Sequence, residues 1–433
     1  MQVTENAHWR IARNFGWIAI FVLLAKGVGA AKEMVIAWRY GTSAVIDAYL
    51  FANNLVSWAP VVIGGIYGTV LNPLLARLSR SGSSSYRQFF SELAGLTIMV
   101  GSALSLLMLL APLLSEILPS SLHDYGTYFI GALAPLPLVL VLSGLLSSVL
   151  LARERFASVL FDALPAVGLI ISVLVFGGST APLVVGTLGG SAIGLMMLTI
   201  YAHSNGLLVG PTLGFRSSIW PDFWSGFGVM ATGPVLMSLV TLIDPYMLAN
   251  IGHGAIATLG YASRILALLM TLGATSIGRA ILPVLSEAVS YGIQNRAKEL
   301  AFRWAIIFFV IALVGCAVTA VFAPSVVRLL FERGAFTSED TASVSFVLRL
   351  GLLQIPFYFS GLVLVQLLAS DSRFGLIALG AAINLPVKIV ANSVLGKMYG
   401  VGGIALASGC MYLFSLVFLV VSIRLYWRPQ KIL

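Results

Sequence analysis

Apolar residues occur in long unbroken runs separated by short polar stretches. Twelve such runs can be marked, at about 14–38, 48–75, 90–115, 126–151, 157–178, 181–203, 223–250, 255–286, 301–323, 341–369, 374–396 and 400–424. As helices rising 1.5 Å per residue, each is long enough to cross about 30 Å of hydrocarbon. No stretch alternates polar and apolar positions with the period of two that an outer-membrane barrel needs, so the pattern predicts an all-α polytopic membrane protein. The first thirteen residues are polar and the first run flows into the second, so no cleavable leader is expected.

Composition agrees: 59% of the 433 residues are hydrophobic and 9% are charged, which excludes a water-soluble globule. Basic residues then orient the chain. Of 25 Lys and Arg, fifteen fall on one side, from Arg10 and Arg13 through Arg77, Arg80, Arg87, Arg153, Arg155 and Arg216 to Arg424, Arg428 and Lys431. Only Arg39, Arg328, Arg333 and Lys397 fall on the other. Cytoplasmic loops hold the excess of Lys and Arg, so both termini are expected in the cytoplasm. The net charge of +9 is mostly this asymmetry. No basic patch with interleaved aromatics suggests a nucleic-acid partner.

A faint repeat divides the chain. "LFANNLVSWAPVVIGGIYGTVLNPLL" (50–75) lies without gaps on "GYASRILALLMTLGATSIGRAILPVL" (260–285), pairing Ala52 with Ala262, Gly68 with Gly278 and Pro73 with Pro283. Each is the second segment of a six-segment half. The join falls in the Gly/Pro/Ser-rich stretch 203–222, predicting two six-helix bundles, 1–210 and 211–433, as some transporters have. The loops leave no room for a catalytic domain. There is no phosphate-binding loop and no loop-borne carboxylate pair, so no enzyme and no cofactor are expected. Cys316 and Cys410 read as buried thiols, and no Cys/His spacing suggests a metal.

Charges inside the apolar runs carry the chemistry. Six basic residues remain there, Lys26, Lys32, Arg264, Arg279, Arg349 and Lys388, with Glu33, Asp47, Glu92, Asp162, Asp244 and Glu287 as the acids. Each such group near a bilayer centre costs roughly 2.5–3.5 kcal/mol on insertion scales. Glu92 and Glu287 lie near segment ends and can reach headgroups. Asp47 opens the second segment, where it serves either as an N-cap or in an ion pair. Lys388, after Pro386, can snorkel towards an interface. Lys26 sits near mid-depth, with Glu33 on almost the same face about 10 Å further along. Lys32 lies about 120° round the helix from Lys26, so a single stripe cannot hold both. Arginine keeps its charge, so Arg264 and Arg279 need water, partners or an anion. Either these groups form a static ion-pair network or they line a hydrated, electropositive cavity suited to an anionic amphiphile. Pyrophosphate and phosphate are the usual partners of Lys and Arg. Asp162 and Asp244, beside Pro165 and Pro245, are candidates for a coupling-cation or proton site, since a helix interrupted there would free carbonyls.

"AKGVGAAKEMVIAWRYGTSAVIDAYLFA" (25–52), "YASRILALLMTLG" (261–273) and "FERGAFTSEDT" (331–341) together resemble the MurJ/MviN lipid II flippases. These form one branch of the multidrug/oligosaccharidyl-lipid/polysaccharide (MOP) exporter superfamily. On the family's first-helix pattern, Lys26 and Lys32 fall where it has functional arginines, and Glu33 falls on its acid. Asp47 falls on the aspartate opening helix two, and Arg264 matches a functional arginine of helix eight. The departures are lysine for arginine at 26 and 32, no counterpart of the helix-two charges within 57–73, and twelve segments where the family typically has fourteen. The resemblance implies a MATE-like pair of bundles in a bacterial inner membrane. It implies alternating access that carries a polyprenyl-pyrophosphate-linked saccharide outward, driven by a coupling cation (Na+ or H+) or the membrane potential. Lys26, Lys32, Arg264 and Arg279 would bind substrate, while Glu33 and Asp47 would gate through ion pairs. The substrate reads as lipid II or, alternatively, an O-antigen or exopolysaccharide repeat unit. A cation-coupled multidrug antiporter is a further alternative, for which an acid-lined cavity would be expected.

Overall fold

The computed structural model describes residues 24–78, 83–110, 118–153, 155 and 158–426, and among these there are helices and no strand. In chain order they are α1 (24–40), α2 (Ala44–Leu78), α3 (Ser83–Leu110), α4 (His123–Ala132), α5 (Leu136–Ala152), α6 (Ser158–Phe161), α7 (Leu164–Phe176) and α8 (Ala181–Ser204). There follow α9 (Trp220–Ala249), α10 (Ala255–Ser290), α11 (Gln294–Phe331), α12 (Ser338–Leu352), α13 (Gln354–Ser370) and α14 (Phe374–Tyr426). Among the described residues, seven stretches are long and apolar enough to cross a membrane, with an eighth if the bent pair Tyr125–Ala132 and Leu136–Ala152 counts as one.

One predicted run has a break that hydropathy does not register. The run 126–151 bends by 47° between α4 and α5. Pro135 and Pro137 lie at that break, and Pro is tolerated in a helix's first turn, where its missing N–H has no intrahelical partner. The helical stretch α14 is 53 residues long, about 80 Å and more than twice the hydrocarbon thickness. It is divided at Gly400, whose φ of 56° and ψ of −133° are non-helical. A side chain there would be strained, and glycine is not. The two arms, before and after Gly400, match the predicted runs 374–396 and 400–424.

The described chain forms two compact units. The first comprises residues up to Tyr40 and Ala44–Pro234; the second comprises Gly41–Ser43 and Val235–Leu433. In the first, α2 packs on α5 and α4, α3 on α5, and α7 on α8. Its core joins Ile66, Tyr67 and Leu71 to Phe89, Phe90, Leu93, Val141, Leu145 and Trp220. The α7–α8 contact depends on missing side chains: a Cβ on Gly190 would lie 2.7 Å from the Leu164 carbonyl oxygen and 2.8 Å from the Pro165 Cα. Small residues at such a crossing let backbones meet closely, which supplies packing that lipid-exposed helices otherwise lack.

In the second unit, α13 packs against α10, α11 and α14, and α12 against α10, α11 and α14. Ala297, Ala301 and Ala305, one helical turn apart, put a small-residue stripe of α11 against a core containing Val363, Leu364, Leu367 and Leu368. Elsewhere α11 exposes Ile306, Val310, Ile311, Val314, Val318, Val321 and Phe322. A soluble protein does not leave such a surface open, whereas lipid covers it. The tripeptide Gly41–Ser43 is tied into this unit by the Tyr261 hydroxyl, which donates to the Gly41 carbonyl at 2.9 Å, and by the Thr42 hydroxyl, which donates to Asp340. Asp340 also closes a capping box with Thr337 that starts α12. That accounts physically for much of "FERGAFTSEDT".

The stretch 203–222 is not a loose linker. Glu92 of α3 is buried and accepts hydrogen bonds from the backbone N–H groups of Arg216 and Ser217, both at 3.1 Å, and from Trp220 Nε1 at 2.7 Å. Ser91 adds a bond to the Thr212 hydroxyl at 2.8 Å and accepts from the Thr212 N–H at 3.0 Å. The expectation that Glu92 reaches headgroups is therefore corrected. Its carboxylate is satisfied by the donors of the connecting segment, which folds back on the first unit. The compact units accordingly divide within α9, between Pro234 and Val235.

Candidate functional site

α1 is helical through "KGVGAAKE", and among the described residues nothing within 4 Å would meet a side chain at Gly27 or Gly29, so these glycines lie on an open part of the helix. Lys26 is exposed there. Lys32 is partly buried and its Nζ lies 3.0 Å from Glu33 Oε1. Glu33 itself is buried. Neighbouring residues on a helix point about 100° apart, so this contact depends on the lysine stem curling round the helix. The acid offsets Lys32 and leaves the exposed Lys26 as the more available of these two lysines.

Asp47 is buried in the first turn of α2. The helix already begins at Ala44, so Asp47 is inside it and the N-cap alternative is set aside. Arg264 is exposed on α10, in the second unit. Arg279 also belongs to α10, but its side chain lies outside the described residues. Asp162 is exposed in the turn before α7. The helical run is broken there at Asp162 and Ala163, between α6 and α7, and Pro165 occupies the first turn of α7, where no intrahelical partner is lost. α9, by contrast, runs on past Pro245 to Ala249. The break expected beside a proline is thus present at Asp162, while the helix carrying Asp244 is continuous.

The sequence reading placed Lys388 towards an interface, but among the described residues it is the most enclosed charge of the second unit. Lys388 is fully buried and does not snorkel. Its Nζ lies 3.2 Å from Asp244 Oδ2, and it donates to the Ile404 carbonyl at 3.2 Å and the Ser408 hydroxyl at 2.6 Å. Asn392 completes the group, its Nδ2 donating to Asp244 Oδ1 at 2.7 Å. Asp162 and Asp244 thus belong to different units and different surroundings, one exposed, the other engaged with an ammonium. A signal existed in the sequence: Asn384, Lys388 and Asn392 recur every four residues within an apolar run, one polar stripe on a helix. Among the described residues, no group of three His, Cys, Asp or Glu could hold a metal ion.

Among the described residues the chain is all-helical, with two compact units and charges enclosed in apolar helices, and this fold recurs in solved transporters. A lipid II flippase MurJ solved in an inward closed conformation superposes with a TM-score of 0.78 over 94% of this chain and 87% of that one, at 20% identity. An inward-facing multidrug-resistance MATE-family transporter of the MOP superfamily gives 0.72 over 94% and 98%, at 14% identity. These likenesses define the fold.

The family follows from sequence. The profile of the lipid II flippase MurJ family matches residues 36–431, and the chain belongs to that family. The probable lipid II flippase MurJ of Aquifex aeolicus (strain VF5) is 23% identical over 433 residues, 95% of this chain and 82% of that protein. That of Rhizobium meliloti (strain 1021) is 25% identical over 372 residues, 80% and 68% respectively. The alignment with the Bdellovibrio bacteriovorus protein of the same description is shorter, 194 residues at 25% identity, and spans 37% of that protein's length.

Proposed function

We propose that this chain carries lipid II, a polyprenyl-pyrophosphate-linked saccharide, from the cytoplasmic to the outer leaflet of a bacterial inner membrane by alternating access. The observation that carries the reading is the family match over 36–431. The exposed Lys26, on an α1 whose next lysine is already paired with Glu33, supports it chemically. The comparisons favour lipid II over an O-antigen unit or an exported drug.

In this reading the chain crosses the membrane twelve times with both termini cytoplasmic, as two six-helix bundles, 1–210 and 211–433. The segment 211–234 would then belong to the second bundle by topology while packing on the first. Lys26, Lys32, Arg264 and Arg279 bind the pyrophosphate. Lysine supplies charge without the fixed bidentate fork of arginine, so it can follow a phosphate that moves along the path. Glu33 and Asp47 exchange ion pairs as the bundles rock, and Glu33 restrains Lys32 when no substrate is bound. Transport is energised by the membrane potential or a coupling cation, with the exposed Asp162 as the acid open to one.

The test is binding by purified protein. A polyprenyl-pyrophosphate lipid should bind, and added salt or free pyrophosphate should weaken it, since both screen or occupy the cations. Lipophilic cations of the kind multidrug antiporters export should bind poorly. The opposite ranking overturns the flippase reading in favour of an antiporter.

A further inference from the structure

The cluster around Lys388 has the make-up of a cation site. One carboxylate (Asp244), one main-chain carbonyl (Ile404) and one hydroxyl (Ser408) surround the Nζ at 2.6–3.2 Å. Three acceptors match the three N–H donors of an ammonium. Two more oxygens lie on the same stripe of the first arm of α14: the Oδ1 atoms of Asn384 and Asn392 are buried and have no hydrogen-bond partner among the described residues. Buried amide oxygens are rarely left so. The surroundings therefore offer more acceptor capacity than the lysine uses.

Carboxylate, carbonyl and hydroxyl oxygens are hard ligands that suit alkali and alkaline-earth cations better than soft metals. With a single carboxylate in the group, one positive charge neutralises it and two would leave an excess. The charge requirement is therefore monovalent, and Lys388 meets it from within the chain. The Asp244 side chain is partly buried, 20% exposed, and a partly buried carboxylate stripped of its counter-charge is unfavourable, so Asp244 favours that ammonium, a proton or a replacement ion.

We propose that the Asp244 cluster is a monovalent-cation site occupied by the protein's own Lys388 ammonium, so that this chain takes up no free Na+ there, and that removing the ammonium uncovers the site. The lysine acts as a tethered cation. The cluster stays neutral and closed at any external sodium concentration. Cation binding is read directly, so the test does not depend on the identity of the transported lipid.

The experiment measures 22Na+ binding and thermal unfolding of the full-length purified protein in NaCl, KCl or choline chloride at equal ionic strength. Wild type should bind no 22Na+ that depends on Asp244 and should unfold at the same temperature in all three salts. Lys388→Ala should bind 22Na+ at least about tenfold above wild type, and Na+ should raise its unfolding temperature saturably, as a ligand specific to the native state does. Asp244→Asn added to Lys388→Ala should abolish both effects. Lys388→Met serves if the alanine variant does not fold, and dependence of its folding on NaCl in place of choline counts as the same result. Sodium binding by wild type that Asp244→Asn removes overturns the proposal. So does a folded Lys388 variant that fails to distinguish Na+ from choline.

Discussion

Trp220 Nε1 donates to the buried carboxylate of Glu92 at 2.7 Å across 128 positions of sequence, and this bond fastens the segment between the halves to α3. Phe89, Phe215 and Phe223 pack their rings around the same indole, with centroids 4.9–5.5 Å away. The polar bond therefore sits beside an apolar cluster that shields it from water, where a lost partner is most costly.

Glu92→Ala should strand the donors of Ser217 and Trp220 and lower stability by about 2–3 kcal/mol, the range for losing charge-assisted bonds in a buried setting. Glu92→Gln should lose less, since one amide oxygen still accepts. Thermal unfolding of the purified protein measures both. Limited proteolysis should find new cleavage within 206–218 in the alanine variant. If proteolysis and unfolding are unchanged, the aromatic cluster alone holds the segment.

On α1 and α10 the expected effects follow charge more than shape. Lys26→Arg and Lys32→Arg should retain most flipping, because the positive charge persists. Lys26→Ala, Lys32→Ala and Arg264→Ala should lose most of it while inserting normally, as measured by translocation in proteoliposomes. Retained translocation in all three alanine variants would remove these residues from the mechanism. Lys32→Ala should also cost a modest amount of stability, up to about 1 kcal/mol for a partly exposed pair with Glu33.

Accessibility separates a hydrated path from a lipid-facing surface. In a background lacking Cys316 and Cys410, Lys26→Cys should react with a membrane-impermeant thiol reagent. Leu24→Cys, on another side of the same helix and also exposed, should not. Inertness at position 26 under all transport conditions would favour the ion-pair network over the cavity.

Adjacent glycines of α8 give a packing test with an internal control. Gly190→Ala places a Cβ within 2.7–2.8 Å of backbone atoms of α7, which cannot yield cheaply. A loss of about 1–3 kcal/mol is expected from such overpacking. Gly189→Ala meets nothing within 4 Å among the described residues and should be neutral or stabilising by up to about 1 kcal/mol through helix propensity. Equal effects at the two positions would mean α7 and α8 do not meet as closely as described.

Local information determined the all-α class, the places of the apolar runs and the α1 motif that points to the family. Hydropathy, proline and glycine act through the backbone of their own few residues, so a linear reading captures them. Even there, a hydropathy window averaged over the bend between α4 and α5, where Pro135 and Pro137 carried the better signal. What a linear reading could not decide was the fate of each buried charge. Lys388 beside Pro386 reads as a snorkelling lysine until Asp244, 144 positions away, is brought to 3.2 Å. Glu92 reads as a headgroup contact until the backbone of Arg216 and Ser217 arrives above it. A charge inside the membrane is costly unless paired, but its partner is chosen by helix packing, and packing is set by long-range contacts such as Gly190 against α7. The sequence by itself could say that these charges needed partners; only the tertiary structure decided which.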